Sequence, residues 1–356
     1  MGQKLFIRAD ATTAIGIGHI MRCIALAQAW QKDAGDVTFL SYCESEVLRQ
    51  QILREGFGLI SIDRPHPAPE DLKQAISLLQ DSRSDGDNLW FVLDGYHFGP
   101  EYQESISEAG SRLMVIDDYN HLPFYHADIL VNQNIGAEIK KYACEPETVC
   151  LLGPRYTLLR TEFLAQKNAV EKRTDRSRNI LVTLGGADPD NITLKVVRAL
   201  LRMELEELKV NIVLGPSNPN TEVLERKIEE VRKSGHTPME AMRLVRQGNM
   251  PELMAKADVA ISAGGSTCWE LCFLGKPFLV IIAAENQRDI ALGLDQAGVA
   301  TCLGWHHEIT ERQIHDHLKS LINDTSLRRE MSTKGQALVD GKGRLRVLQT
   351  LADNCR

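Results

Sequence analysis

The sequence predicts an α/β protein with parallel sheets, arranged as two units. Short continuous apolar runs such as Leu89-Trp90-Phe91-Val92-Leu93 alternate with stretches of helical period along the whole chain. That order is expected where strands are buried on both faces of a parallel sheet. The chain has 356 residues, enough for two cores. A strand, a glycine turn and a helix start follow one another near the N-terminus and again past the middle, at Gly185-Gly186 and Gly264-Gly265.

The first such junction organises the N-terminal half. Leu5-Phe6-Ile7 reads as a buried strand, and residues 20–30 carry apolar side chains at helical spacing. Between them, Gly16 and Gly18 allow a tight turn and close approach of a ligand to backbone N–H groups. The helix start offers free donors and a partial positive charge, which favours a phosphate or another anion, with Asp10 and Arg22 flanking it. His19 falls in the first turn of that helix. A positive helix end disfavours an imidazolium, so the expected form is a neutral ring able to act as a general base. The bland alternative is a histidine that only caps or lines the loop. The loop is not a dinucleotide fingerprint, because Met21 stands where a third glycine would be.

Further strands are expected at residues 37–40, 59–62, 89–93, 113–116 and 129–131, with helices at 46–54 and 71–79. Asp10, Asp94, Tyr96, Asp117, Asp118 and Asn134 all fall at predicted carboxyl ends of strands. Ligands bind beyond those ends in open parallel sheets. Any one such Asp or Asn also starts turns and caps helices. Their convergence on one edge is the informative fact. Residues 154–176 read as the passage between domains, with a possible helix at 158–163, and 171–178 as a charged, solvated linker.

The second unit begins with a strand at 179–184 that ends in Gly185-Gly186-Ala187-Asp188, before a helix at 191–203. This is again an anion-binding geometry. Strands are expected at 209–214, 242–245, 258–262 and 278–282, and helices at 219–233 and 251–256. The run Ala263-Gly264-Gly265-Ser266-Thr267 opens a helix with Glu270 on its first turns. A carboxylate there can accept both ribose hydroxyls of a nucleotide; alternatively it only complements the helix dipole, worth under about 1 kcal/mol. Asn286-Gln287 opens another helix, and helices at 310–322, 327–338 and 344–352 close the chain.

Composition excludes several classes. The hydrophobic fraction is 43%, the charged fraction 25% and the formal net charge -7. These argue for a globular protein that does not bind nucleic acid over its whole surface. No apolar run is long enough to span a bilayer, and no secretory signal is legible, so a cytoplasmic location is expected. The eight cysteines form no C-x-x-C pair and read as reduced thiols.

Taken together, Ser262 to Leu271, Gly275-Lys276-Pro277 and Asn286-Gln287 resemble the nucleotide-sugar signature of the glycosyltransferase-B fold. Arg8-Ala9-Asp10 with Gly16-Ile17-Gly18-His19-Ile20-Met21-Arg22 narrows the resemblance to one family. This is the bacterial UDP-sugar hydrolases of the pseudaminic acid pathway, also labelled spore-coat polysaccharide protein G. Asp94-Gly95-Tyr96, Asp117-Asp118, Leu159-Arg160-Thr161-Glu162-Phe163 and Gly185-Gly186-Ala187-Asp188 fall where that family has its motifs. The resemblance implies two Rossmann-like domains facing a cleft: residues 1–165 with the histidine loop, 166–339 binding UDP, and a final helix at 340–356 returning to the first domain. It implies hydrolysis of UDP-2,4-diacetamido-2,4,6-trideoxy-β-L-altropyranose to free sugar and UDP; a monomer is the default expectation. It implies His19, Tyr96 and Asn286 as catalytic residues. Asp10, Gly16, Gly18, Arg22, Arg160, Gly185, Gly186, Gly264, Gly265, Ser266, Glu270 and Gln287 are the expected substrate-binding set. UDP is a good leaving group, so no acid, metal or cofactor is required for its departure. A UDP-sugar glycosyltransferase, a non-catalytic nucleotide-sugar sensor and a hydrolysing 2-epimerase are the alternatives.

Overall fold

A computed structural model describes residues 3–13, 15–32, 35–82, 88–167, 177–203, 208–215, 218–233, 242–246 and 248–354. The polar stretch at 83–87 and most of the charged linker, 171–176, lie outside the described residues. The chain divides into two compact units: Met1–Thr161 with Gly341–Arg356, and Glu162–Asp340.

The first unit begins β1 (Gln3–Ala9), α1 (Gly18–Lys32), β2 (Asp36–Ser41), α2 (Glu46–Arg54), β3 (Gly58–Ser61) and α3 (Pro69–Asp81). It continues β4 (Asn88–Asp94), α4 (Pro100–Glu108), β5 (Arg112–Ile116), β6 (Ile129–Asn132) and β7 (Val149–Leu152). These strands form one seven-stranded sheet in the order β3-β2-β1-β4-β5-β6-β7, with every neighbouring pair parallel. Side chains alternate between the two faces, as strand geometry requires. Leu5, Ile7, Trp90 and Val92 join Ile20 and Ile24 of α1 in one core. Phe6, Phe91 and Leu93 join Leu79 of α3 and Ile106 of α4 in the other. Each fully buried aliphatic or aromatic side chain is worth roughly 1.5–3 kcal/mol. Strand order reverses between β1 and β4, where Ala9 and Asp94 are in register. That reversal is the topological switch point, where crevices open in such sheets.

After α5 (Thr161–Gln166), the second unit runs β8 (Asn179–Thr183), α6 (Ile192–Leu200), β9 (Lys209–Val213), α7 (Thr221–Lys233), β10 (Met242–Val245) and α8 (Met250–Lys256). It then runs β11 (Val259–Ala263), α9 (Thr267–Phe273), β12 (Phe278–Ile282), α10 (Arg288–Gln296), β13 (Ala300–Trp305), α11 (Glu311–Asn323) and α12 (Thr325–Leu338). Its six-stranded sheet has the order β10-β9-β8-β11-β12-β13, with the switch point between β8 and β11. Helix starts are set locally: Thr310 and Gln313 form a capping box on α11, and Asp324 caps α12. No helix among the described residues is long and apolar enough to cross a membrane.

Both sheets carry an edge strand that periodicity does not reveal. β7 is only four residues long, and β13 carries Gly304 near its end, so neither shows a buried apolar run. α5 begins at Thr161 rather than 158, because Leu158 and Leu159 are buried in non-helical backbone ahead of it.

The last helix, α13 (Gly343–Asp353), belongs to the first unit. Val347 and Leu351 are fully buried in the core shared with α1. Arg344 Nη1 donates to Thr161 Oγ1 at 2.8 Å, and Arg346 Nη1 to the Arg155 carbonyl at 2.7 Å. A Cβ on Gly343 would lie 2.3 Å from the Thr157 carbonyl oxygen and 2.5 Å from its nitrogen. Gly343→Ala is therefore expected to lower stability by about 1–3 kcal/mol through backbone displacement. A thermal melt read against wild type checks this; an unchanged midpoint would mean that α13 does not seat on the 154–157 turn.

Candidate active site

The first switch point carries a closed network of charged groups. The chain leaves β1 at Ala9 and re-enters regular structure at Gly18. Gly16 sits at φ +79°, a left-handed conformation that a side chain would strain, and its N–H donates to the Thr12 carbonyl at 2.8 Å. This turn delivers His19 and Arg22 on the first turns of α1. β4 ends in Asp94, and Asp117 and Asp118 follow β5 directly.

His19 Nδ1 lies 2.6 Å from Asp94 Oδ1. Arg22 grips the same carboxylate through Nε to Oδ2 and Nη2 to Oδ1, both 2.6 Å. Its Nη1 and Nη2 also reach Asp118 Oδ1 at 2.7 Å and Oδ2 at 3.0 Å. Tyr96 donates its hydroxyl to Asp118 Oδ2 at 2.6 Å, and Asn134 Nδ2 donates to Oδ1 at 2.8 Å. The His19 and Tyr96 rings meet edge to face at 4.9 Å. Side-chain exposure is 8% for His19, 6% for Arg22, 9% for Asp118 and nil for Asp94.

Burial favours the neutral forms of Asp94, Asp118 and Arg22, and the pairing reverses that. Asp94 is pulled below the ordinary carboxylate range against burial by Arg22 and His19. Asp118 is pulled down in the same way, with Arg22 the main cause opposing burial. Arg22 is held well above its ordinary value, because the two carboxylates outweigh its desolvation. An ionised Asp94 accepts only, so the 2.6 Å contact places the His19 proton on Nδ1. Arg22 Nη2 is also 3.2 Å from Nδ1. A lone pair on Nδ1 would then face the carboxylate at the shorter distance, so this second contact does not change the tautomer. In the neutral ring Nε2 is then the acceptor.

Of the expected residues in this unit, His19, Arg22 and Tyr96 come together. Asp10 does not join them. It is fully buried, and both of its oxygens are taken: by Arg8, by the Tyr42 N–H at 2.7 Å and by His97 Nε2 at 3.0 Å. Its place is structural, since no oxygen is left for a substrate. Arg8 is bound in turn to Asp71 at 2.9 and 3.0 Å. Gly18 is the first residue of α1, and Arg160 is half-buried just ahead of α5.

The second unit places its expected residues around the β8–β11 switch point. Gly185, at φ +92°, is exposed, with nothing near an added Cβ; Gly186 follows it, half-buried. The start of α6 is not a free anion site. Asp188 accepts from the N–H groups of Ile192 at 2.8 Å and Thr193 at 3.0 Å, so the chain supplies its own anion there. Gly264 donates its N–H to Gln287 Oε1 at 3.1 Å, and the same oxygen accepts from Ala283 N at 3.1 Å. Gln287 is thus a clamp between the loops after β11 and β12, and the Gly264 N–H is not available to a phosphate. A Cβ on Gly264 would meet the Gln287 carbonyl at 2.9 Å, which explains glycine there. Gly265, Ser266 and Glu270 are half-buried at the start of α9, and Asn286 is half-buried in a 3-10 turn at Glu285–Gln287.

Sequence reasoning placed Asp94, Asp118 and Asn134 at strand ends without tying them to His19. Their positions at the end of β4 and after β5 and β6 are the available signal.

Comparison with known proteins follows the same lines. Residues 179–345 match the glycosyltransferase family 28 C-terminal domain. The spore coat polysaccharide biosynthesis protein SpsG of Bacillus subtilis is 27% identical over 98% of this chain and 97% of its own length. The UDP-2,4-diacetamido-2,4,6-trideoxy-β-L-altropyranose hydrolase of Campylobacter jejuni is 24% identical over 83% of this chain and 97% of its own. Protein MJ1062 of Methanocaldococcus jannaschii is 29% identical over 81% of this chain, which takes in only 57% of that protein. Among solved structures, MurG of Acinetobacter baumannii superposes with a TM-score of 0.67 at 15% identity, covering 99% of this chain and 100% of that one. Anabaena Alr3699/HepE in complex with UDP-glucose gives 0.62 at 11% identity, covering 98% and 99%. The resemblance carried by the motifs therefore extends along the chain. The architecture is the glycosyltransferase-B fold, with two parallel-sheet α/β units.

Arg22→Met would leave two buried carboxylates without their cation, and should cost about 3–5 kcal/mol of folding stability at neutral pH. Asp94 and Asp118 titrate below their unfolded values, so their stabilisation is present above the ordinary carboxylate range and lost as pH falls towards the depressed values. Denaturant titrations should show the gap between wild type and variant narrowing in acid. An equal gap at all pH values would contradict the charge network.

Proposed function

We propose that this chain hydrolyses a UDP-sugar at the anomeric carbon, releasing free sugar and UDP. The observation that carries the reading is the buried His19–Asp94 pair, with the Nδ1 proton committed to the carboxylate and Nε2 left to take a proton. A histidine held in one tautomer by a carboxylate is suited to activating water as a general base.

The leaving group makes this sufficient. UDP departs without a protonating acid, so the second carboxylate used by most glycosidases is not needed. Water attacking C1 opposite UDP would invert that centre. Tyr96 gives its hydroxyl proton to Asp118, and its oxygen is assigned as an acceptor for the water or a sugar hydroxyl. Asn286 is assigned a polar contact to the sugar on the resemblance of its motif. The second unit is assigned UDP: Gly185, Gly186, Gly265 and Ser266 for the diphosphate and Glu270 for the ribose hydroxyls. Gly264 and Gln287 act through the shape of that loop. The Campylobacter jejuni hydrolase supports UDP-2,4-diacetamido-2,4,6-trideoxy-β-L-altropyranose as the substrate to try first.

The family 28 match favours one second reading, a transferase that passes the sugar to an acceptor other than water. Incubation with a panel of UDP-sugars and no acceptor separates the two. UDP should appear steadily, and His19→Ala should slow its release by about 10²–10⁴-fold while leaving UDP binding intact. UDP release only on adding an acceptor would establish the transferase. Tight binding without turnover would indicate a sensor, and a product epimerised at C2 would indicate an epimerase. His19→Ala turning over at the wild-type rate would remove His19 from its role.

A further inference from the structure

The hydroxyl bond to Asp118 is one anchor of Tyr96. Another is its backbone carbonyl, which lies 3.0 Å from His121 Nε2. The second nitrogen of that ring, Nδ1, lies 2.9 Å from Asp117 Oδ1. Neither partner has a proton to give. A carbonyl only accepts, and three other donors already converge on the Asp117 carboxylate. These are the Asn120 N–H at 2.6 Å, the Tyr142 hydroxyl at 2.7 Å and the Tyr125 hydroxyl at 3.0 Å. The tyrosine hydroxyls must be the donors, because each accepts from elsewhere: Tyr142 from Asn132 Nδ2 at 2.7 Å and Tyr125 from the Leu122 N–H at 3.2 Å. An ionised carboxylate has about four lone-pair directions, which leaves one for an N–H of His121.

We infer that His121 is a doubly protonated positioning residue whose charge pins the Tyr96 segment to the loop after β5. An imidazole donates from both nitrogens only as the cation. Loss of the proton leaves one N–H, and the charged acceptor Asp117 takes it. Nε2 then turns a lone pair on the Tyr96 carbonyl at 3.0 Å, and the contact becomes repulsive.

The groups facing His121 agree with a cation. Asp117 and Asp118 are the nearby charges, and the rings of Tyr119, Tyr96 and Tyr125 lie 4.9, 5.6 and 6.4 Å away. Burial lowers the His121 pKa, but the Asp117 hydrogen bond and charge, the Tyr96 carbonyl and Asp118 together raise it above the ordinary histidine value. A raised folded value means that the clamp is fully present below the unfolded histidine range and is lost as pH rises through the folded value. The inference rests on the hydrolase reading only for its kinetic consequence.

Ring-nitrogen NMR of wild-type protein tests it directly, with His121→Gln used to assign the signal. Both His121 nitrogens should be protonated at neutral pH and titrate above about 6.5. The Tyr96 carbonyl carbon should shift with the same midpoint. A neutral single tautomer at neutral pH, or a Tyr96 carbonyl indifferent to that titration, would overturn the inference. In turnover, His121→Gln should lower kcat by about 10–100-fold and abolish its alkaline decline, with KM little changed. Retention of that decline in the variant would also refute the role. Absence of UDP release from wild type would instead refute the hydrolase reading and leave the NMR result to stand.

Discussion

One guanidinium holds the first switch point together. Arg22 comes from the first turns of α1 and binds both the last residue of β4 and the loop after β5. Neither Asp94 nor Asp118 could stay ionised at such low exposure without that cation. The candidate residues of the first unit hang from the same pair of carboxylates. Asp94 takes His19, while Asp118 takes Tyr96 and Asn134. The strand ends fix the carboxylates, and these side chains are aimed by hydrogen bonds to them.

The Tyr96 segment is flanked by two histidines that are themselves braced by buried aspartates. His97 binds Asp10, which Arg8 shares with Asp71. His121 binds Asp117, which gathers two tyrosine hydroxyls and a backbone N–H. Carboxylates cluster at this sheet edge because each has cations or several donors to satisfy it. That requirement explains why so polar an edge can be so deeply buried.

Much of this was legible in the residues, for a physical reason in each case. Central strands such as β4 and β12 announce themselves because both faces are covered. The loop ending at His19 is readable because glycine at Gly16 serves one conformation. What stayed hidden depends on partners distant in sequence. The bond between His19 and Asp94 spans 75 residues, and no local pattern encodes it. Asp10 looked like a ligand from its place at a strand end, but Arg8, two residues away, claims it. In the second unit, Gln287 looks like a substrate contact, and Asp188 belongs to a glycine motif. Their side chains instead close the backbone donors of Ile192, Thr193, Gly264 and Ala283. A glycine-rich loop signals a backbone shape; which N–H groups remain free is settled by the side chains that fold over it.

The account turns on Asp94 setting the tautomer of His19. Asp94→Asn keeps the shape of the side chain but can offer its amide hydrogens to Nδ1 and favour the wrong tautomer. Single-turnover release of UDP from a UDP-sugar, measured alongside UDP affinity, isolates that step. The account predicts a rate at least about ten-fold slower, since proton transfer contributes more than that, with unchanged affinity. A variant that releases UDP as fast as wild type would contradict it.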